Sequence, residues 1–369
     1  MGATPKVGIG IIGCGNISTQ YLNGAKVFDI LDIRAVADMR PDVAAARAAE
    51  FGTKALTVDE LLADPEIEIV VNLTIPRAHV EVGLRVLDAG KHVYAEKPLG
   101  VNLEEGRKLI AAAKQKNLRV GSAPDTFLGG GHQVCRRIVD SGFLGMQVGG
   151  TATLMVPGHE RWHPDPAFYY DIGGGPVLDM APYYLTDLIQ MLGPVSEVVG
   201  FSSRLREERV ITSEPKNGEM MPVKVDTHVA GLLRFASGAI VQTVFSFDVA
   251  GHKHAPIELY GTEGSLSVPD PNWFGGEVRQ LEKGGEWQDV AVDAPYADGN
   301  HRSIGLADMA YSIRNERPHR ASGELALHVL EVMEAFETSN ASRSVVEIAS
   351  TVTRPEPLET SLVDGKLGR

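Results

Sequence analysis

The opening forty residues constrain the fold more than any other part of the chain. An uninterrupted apolar run, Val7–Ile12, leads into Gly13-Cys14-Gly15-Asn16-Ile17-Ser18, then a helical stretch, then a second apolar run, Ile33–Ala37, that closes on Asp38. A strand apolar on both faces must be covered on both faces, as in a parallel sheet flanked by helices. The alternation continues. Apolar runs recur at Ile67–Leu73, His92–Ala95 and Leu118–Gly121, separated by helical patterns at Pro41–Phe51, Val58–Ala63, His79–Ala89 and Leu103–Lys116. These features predict a doubly wound α/β sheet with right-handed crossovers and ligands beyond the carboxyl ends of the strands.

Gly8-Ile9-Gly10-Ile11-Ile12-Gly13 matches G-x-G-x-x-G literally, but these residues lie within the first strand. An anion needs the free N–H groups and dipole of a helix start, so the functional glycines are Gly13 and Gly15. Gly13 permits the turn, Gly15 lets a phosphate approach the backbone of Asn16 and Ile17, and Ser18 replaces the third glycine with a small side chain. Asp38 stands where an acidic residue accepts both ribose hydroxyls of NAD and repels the 2′-phosphate of NADP. Arg40, two residues on, keeps NADP open. Together these features specify a Rossmann domain for NAD.

At 369 residues the chain exceeds one compact core, and its texture changes near residue 124. We place an NAD-binding domain at 1–124 and a substrate-binding and oligomerisation domain at 125–369. The latter is an α/β domain with a large, open, mainly antiparallel sheet. Its expected strands are Met146–Val156, Val195–Leu205, Val223–Phe235, Ala239–Val249, Ile257–Tyr260 and Ser265–Val268. Its expected helices are Gln133–Asp140, Asp179–Met191, Ile304–Arg314 and Glu324–Thr338. Gly129-Gly130-Gly131 is the candidate hinge. A net charge of -13 disfavours nucleic acid and anionic membranes, and two cysteines make no disulfide framework, which fits a cytoplasmic location. No stretch approaches a bilayer span, and Met1–Lys6 lacks a signal peptide's basic start. His252 and His254 share a strand face without a third ligand, so no metal is expected.

The segment Ala89-Gly90-Lys91-His92-Val93-Tyr94-Ala95-Glu96-Lys97-Pro98 resembles the Gfo/Idh/MocA oxidoreductases, the family of glucose-fructose oxidoreductase and the inositol dehydrogenases. The resemblance spans nearly the whole chain, including the Gly174-Gly175-x-x-x-Asp179 helix start and the sequence after Arg317-Pro318. It implies that Lys97 reaches the nicotinamide ribose and the substrate hydroxyl, that Pro98 is cis, and that Glu96 lies near the cofactor. The family's Thr-Pro-Asn-x-x-His turn is altered to Thr74-Ile75-Pro76-Arg77-Ala78-His79. This puts cofactor contacts from Thr74, Pro76 and His79 in question and leaves His79 a plain helix start as the alternative.

The family's Asp-x-x-x-His pair becomes Asp179-x-x-x-Tyr183, a tyrosine variant similar to that of glucose-fructose oxidoreductase and the dihydrodiol dehydrogenases. The resemblance implies that Tyr183 carries the proton, Lys97 polarises and Asp179 orients. Bringing a phenol from about 10 to about 8 takes roughly 2.7 kcal/mol, which the Lys97 ammonium is expected to supply. The competing assignments make Asp179 a helix N-cap because Pro182 belongs near a helix start, and make Tyr183 core packing behind another base, His163. Trp162, His163 and Tyr169, in the aromatic loop His159–Tyr170, suit a sugar's C–H face and hydroxyls, and Asp125 is a candidate by position. The expected activity is hydride transfer between NAD and a secondary alcohol of a sugar, cyclitol or related polyol, by a homodimer or homotetramer. The alternatives are a glycosidase using transient oxidation with NAD bound throughout, and a non-catalytic regulator like the yeast galactose-pathway repressor.

Overall fold

The computed structural model describes residues 4–359, 362 and 365–367. The first three residues, part of the segment read for a signal peptide, lie outside them. The amino-terminal strands are β1 (Val7–Ile12), β2 (Leu31–Ala37), β3 (Lys54–Ala55), β4 (Ile69–Asn72), β5 (His92–Ala95) and β6 (Val120–Ser122). They form one sheet in the order β3-β2-β1-β4-β5-β6, every pair parallel. The helices between them are α1 (Asn16–Ala25), α2 (Pro41–Phe51), α3 (Val58–Ala63), α4 (His79–Asp88) and α5 (Leu103–Gln115). β1 is buried at every position, as its unbroken apolar sequence requires.

Local chemistry sets the helix ends. Pro41 opens α2 and Gly52, at φ +68°, closes it. Thr57 and Glu60 form a reciprocal capping box on α3, and Asn102 caps α5.

The second sheet is built from β7 (Gln147–Met155), β8 (Val195–Ser203), β11 (His228–Phe235), β12 (Ile240–Ser246), β13 (Ile257–Gly261), β14 (Gly264–Val268), β15 (Val278–Glu282), β16 (Gln288–Val290) and β17 (Val346–Glu347). Its order is β16-β15-β14-β13-β7-β12-β11-β8-β17, antiparallel except for β7 beside β12. A separate hairpin pairs β9 (Glu208–Val210) with β10 (Met220–Pro222). Val223–Thr227, expected to extend β11, is not strand.

Helices α6 (Gly130–Asp140), α7 (Gly175–Leu192) and α9 (Gly323–Ser342) cover one face of this sheet, and α8 (Ile304–Arg314) packs on β6. That inner face buries Val198, Leu233, Val241, Phe245 and Leu259. The opposite face leaves Phe201, Leu232 and Ile240 exposed on three adjacent strands.

Two local expectations are corrected. Gly129-Gly130-Gly131 is no hinge: Gly129 precedes α6, and all three glycines press against the Phe274–Gly275 backbone or the 294–297 segment. Nor does Asp179 begin its helix, because α7 starts four residues earlier at Gly175 and carries Pro182 in its interior.

Candidate active site

The carboxyl ends of β1 and β2 meet at the glycine turn. Gly13 adopts φ +103°, and its N–H donates to the Ala37 carbonyl at 2.8 Å, drawing the turn against β2. Asp38 accepts from Cys14 N–H at 2.8 Å through Oδ2 and from Arg40 N–H at 2.9 Å through Oδ1. The first turn of α1 has no side-chain cap and no acidic residue, and a side chain at Gly15 would meet open space. Ser18 folds its hydroxyl back onto the Gly15 carbonyl at 2.6 Å, clear of the helix end. Uncapped helix N–H groups at Asn16 and Ile17, an open approach at Gly15 and a carboxylate at the end of β2 fit a dinucleotide.

Arg47 of α2 also reaches this loop, 3.4 Å from the Cys14 and Gly15 carbonyls. Its place depends on helix packing, so no sequence spacing announces it.

The other end of the cleft lies where β5 faces α7. Glu96 accepts from the Tyr21 hydroxyl at 2.9 Å and from Lys97 N–H at 3.0 Å, tying α1 to the end of β5. The Lys97–Pro98 bond is cis. Lys97 Nζ donates to Asp179 Oδ1 at 2.8 Å and to the Asp179 carbonyl at 2.5 Å. That carbonyl lies beside a missing rung of α7, since Pro182 has no N–H to offer Leu178. The ammonium stands 5.3 Å from the centre of the Tyr183 ring, one turn further along.

The second carboxylate oxygen, Asp179 Oδ2, is 3.1 Å from His159 Nε2. Burial alone would raise the Asp179 carboxyl, but Lys97 and His159 together pull it down to about 2. Burial alone would likewise lower the Lys97 ammonium; Asp179, Tyr183 and Glu96 hold it above its ordinary range.

The surroundings of this cluster match an established family. Residues 7–123 match the family model described as "Oxidoreductase family, NAD-binding Rossmann fold", and residues 132–267 match the GFO/IDH/MocA C-terminal domain. The chain belongs to the GFO/IDH/MocA oxidoreductase family. Its Rossmann domain is the family's NAD-binding domain, and the protein is an oxidoreductase. The chain is 27% identical over 263 residues to 1,5-anhydro-D-fructose reductase of Ensifer adhaerens, covering 70% of this chain and 74% of that protein. It is 27% identical over 267 residues to myo-inositol 2-dehydrogenase of Thermotoga maritima, covering 70% and 74%. The fold is similar to that of levoglucosan dehydrogenase in complex with NADH, with a TM-score of 0.82 and 22% identity over 94% of this chain and 100% of that one.

Within that frame the expected site residues fall into two groups. Lys97, Asp179 and Tyr183 converge, with Trp162, His163 and Tyr169 beside them. Asp179 is not an N-cap, because Gly174 holds that position. Tyr183 is 8% exposed, and Arg302, from the turn before α8, is the cation beside Lys97 that favours its ionised form. Its phenol is raised above 10, not lowered: burial outweighs the pull of Lys97 and Arg302.

Asp125 is not brought to the cleft. Buried at 1% exposure, it accepts from Ser303 N–H at 3.2 Å and Gly305 N–H at 3.0 Å at the start of α8. His79 does begin α4. It is buried with Nδ1 2.7 Å from the Pro98 carbonyl and Nε2 3.0 Å from the Thr74 carbonyl, so it braces the Lys97–Pro98 segment from behind. Thr74 donates to Asn72 Oδ1 at 2.7 Å, and Pro76 opens a 3-10 turn before α4. The turn is altered in sequence yet closed on itself.

His163, the alternative base, accepts from Asp165 N–H at 3.0 Å through Nδ1. The histidine that touches Asp179 is instead His159, four residues earlier in the same aromatic loop. Arg302 was equally hidden. No local pattern separates either from an ordinary loop residue.

Among the described residues no three His, Cys, Asp or Glu side chains gather as metal ligands, and no helix is long and apolar enough to cross a membrane.

Proposed function

We propose that this protein interconverts a secondary alcohol and a ketone on a sugar, cyclitol or related polyol, with NAD as hydride carrier. The observation that carries the reading is the part-buried Lys97–Asp179 pair, set at the carboxyl edge of the Rossmann sheet with the Tyr183 ring one helical turn away. The sugar and inositol oxidoreductases among its relatives support the substrate class. When bound, NAD supplies the hydride acceptor at its nicotinamide, and NADH the donor.

Lys97, Asp179 and Tyr183 form the proposed catalytic set. Lys97, fixed by two bonds to Asp179, keeps a third N–H for the substrate oxygen. It stabilises negative charge there as the C–H bond breaks. Tyr183 offers its hydroxyl to the same oxygen. Trp162, 61% exposed at the rim, and the half-buried Tyr169 and His163 offer ring faces to a sugar's C–H surface. Arg40, exposed at the end of β2, would meet a 2′-phosphate, while Asp38 favours the free ribose diol of NAD.

Purified protein mixed with a panel of sugars and cyclitols should therefore reduce NAD, read at the absorbance of reduced nicotinamide, and reduce NADP less well. Glycoside cleavage without net reduction would replace this reading with the transient-oxidation glycosidase. Dinucleotide binding with neither reaction would replace it with a regulator.

We also propose that the outer face of the large sheet is a self-association surface giving a homodimer or homotetramer, since Phe201, Leu232 and Ile240 are exposed large apolar side chains on three adjacent strands. Phe201→Glu should reduce the sedimenting mass to that of one chain; an unchanged mass would refute the assignment. Two free, buried cysteines, Cys14 and Cys135, suit the reducing cytoplasm, and fractionation into an oxidising compartment would contradict that placement.

A further inference from the structure

We propose that His159 is the group that takes the substrate's hydroxyl proton, a role no resemblance in the sequence assigned to it; the proposal rests on the dehydrogenase reading above. A hydroxyl oxidised by hydride loss must give its proton to some base. Lys97 is an ammonium, both Asp179 oxygens already meet donors, and burial pushes the Tyr183 phenol above its ordinary range. His159 alone in this cluster combines a fixed donor with an open acceptor. Its Nε2 lies 3.1 Å from Asp179 Oδ2, which sets the proton on Nε2. Its Nδ1 then carries the lone pair, met among the described residues by the indole N–H of the exposed Trp162 alone, at a long 3.3 Å. A substrate hydroxyl can take the place of that indole.

The ring is held for this purpose from every side. Tyr169 and Phe247 pack on it with ring centres 4.4 Å away, and Trp162 lies at 5.4 Å. The charged or titratable groups facing it are Asp179 from α7, with Lys97 behind it, and His163 and Tyr169 from its own loop. Its backbone N–H donates to the Tyr170 hydroxyl at 3.0 Å, and that hydroxyl donates to Glu160. Glu160 is in turn paired at 2.7 Å with the buried Arg209, which also holds Asp248. A buried ionic network therefore anchors the loop immediately next to His159. The arrangement uses a single carboxylate twice: one oxygen orients the Lys97 cation, and the other stabilises the imidazolium as it forms.

The step balances. The secondary alcohol gives its C–H hydrogen with both bonding electrons to the oxidised nicotinamide dinucleotide and its O–H proton to His159 Nδ1. A ketone, the reduced dinucleotide and an imidazolium result, and water at the Trp162 edge removes the proton. In ketone reduction the same imidazolium returns the proton to the forming alcohol.

His159→Gln keeps an amide N–H for Asp179 but cannot titrate. It should lower kcat for alcohol oxidation about 100-fold, leave NADH affinity unchanged, and abolish the acid limb of the kcat/KM pH profile. Imidazole added to His159→Ala should restore part of the rate. A His159→Gln enzyme within threefold of wild type, or with the acid limb unmoved, overturns the proposal. The nitrogen-15 spectrum of the His159 ring decides even if no polyol is turned over, a failure that would belong to the function reading and not to this one. An Nε2–H tautomer that collapses in Asp179→Asn supports the assignment, and an Nδ1–H tautomer refutes it.

Discussion

Asp179→Asn is expected to lower kcat by about three orders of magnitude while leaving NADH affinity within a few-fold of wild type. Among the described residues this carboxylate is the only negative charge paired with both the Lys97 ammonium and the His159 ring. Asn keeps the shape and one acceptor oxygen but removes the charge that holds both groups in their reacting forms. Two further consequences separate this from general damage. Lys97 and Asp179 side chains are 15% and 16% exposed, so losing one partner strands a largely buried cation. That costs about 3 kcal/mol, to be read by denaturant unfolding at pH 7.

The second consequence is a change in acid stability. Folding depresses the Asp179 carboxyl from its ordinary 3.8 to about 2. Its stabilisation is therefore complete above the ordinary value and is lost as the pH falls toward 2, by on the order of 2 kcal/mol. Between pH 5 and pH 2 the wild type should lose stability more steeply than Asp179→Asn. Parallel curves, or a variant that retains most of its kcat, would remove Asp179 from the centre of the site.

Gly13→Ala is expected to destabilise the fold by at least about 3 kcal/mol and to weaken NAD binding about 100-fold. At φ +103° a side chain is strained wherever it points. Here it would also lie 2.6 Å from both the carbonyl carbon and the oxygen of Leu73, backbone atoms of the segment leaving β4. The turn cannot yield without moving the 72–74 segment, against which His79 and hence Pro98 are braced. Gly15→Ala provides the contrast, since nothing lies within 4 Å of the added carbon and the backbone is extended at φ -69°. That variant should unfold like wild type and lose only dinucleotide affinity, because its methyl occupies the phosphate's approach. Calorimetric titration with NAD beside thermal unfolding separates the two effects. A Gly13→Ala protein with wild-type melting and binding would show that the turn is not what holds the dinucleotide end together.

The amino-terminal third was legible because its information is local. An apolar run specifies a doubly covered strand, Pro41 and Gly52 bracket a helix, and Gly13, Gly15 and Asp38 lie at fixed offsets from strand ends. The runs at Val7–Ile12 and His92–Ala95 and the helices at Pro41–Phe51, Val58–Ala63 and Ile304–Arg314 have the boundaries their patterns predict. The short, mostly polar strands Glu208–Val210, Val278–Glu282 and Val346–Glu347 carry no apolar run of their own to stand out. Pairing with a distant partner makes them strands.

In the site, the sequence by itself determined which chemical groups were available: Lys97 after its strand, with Asp179 and Tyr183 four residues apart. Only the tertiary structure decided what those groups do. It brought Lys97 to a carboxylate 82 positions away, set His159 against that carboxylate's other oxygen, and turned Asp125 inward to α8. It also reversed the expected direction of the Tyr183 phenol, because burial is a property of everything packed around a residue and not of its neighbours in the chain. Charge and residue type are written locally; desolvation and partnership are decided by the fold.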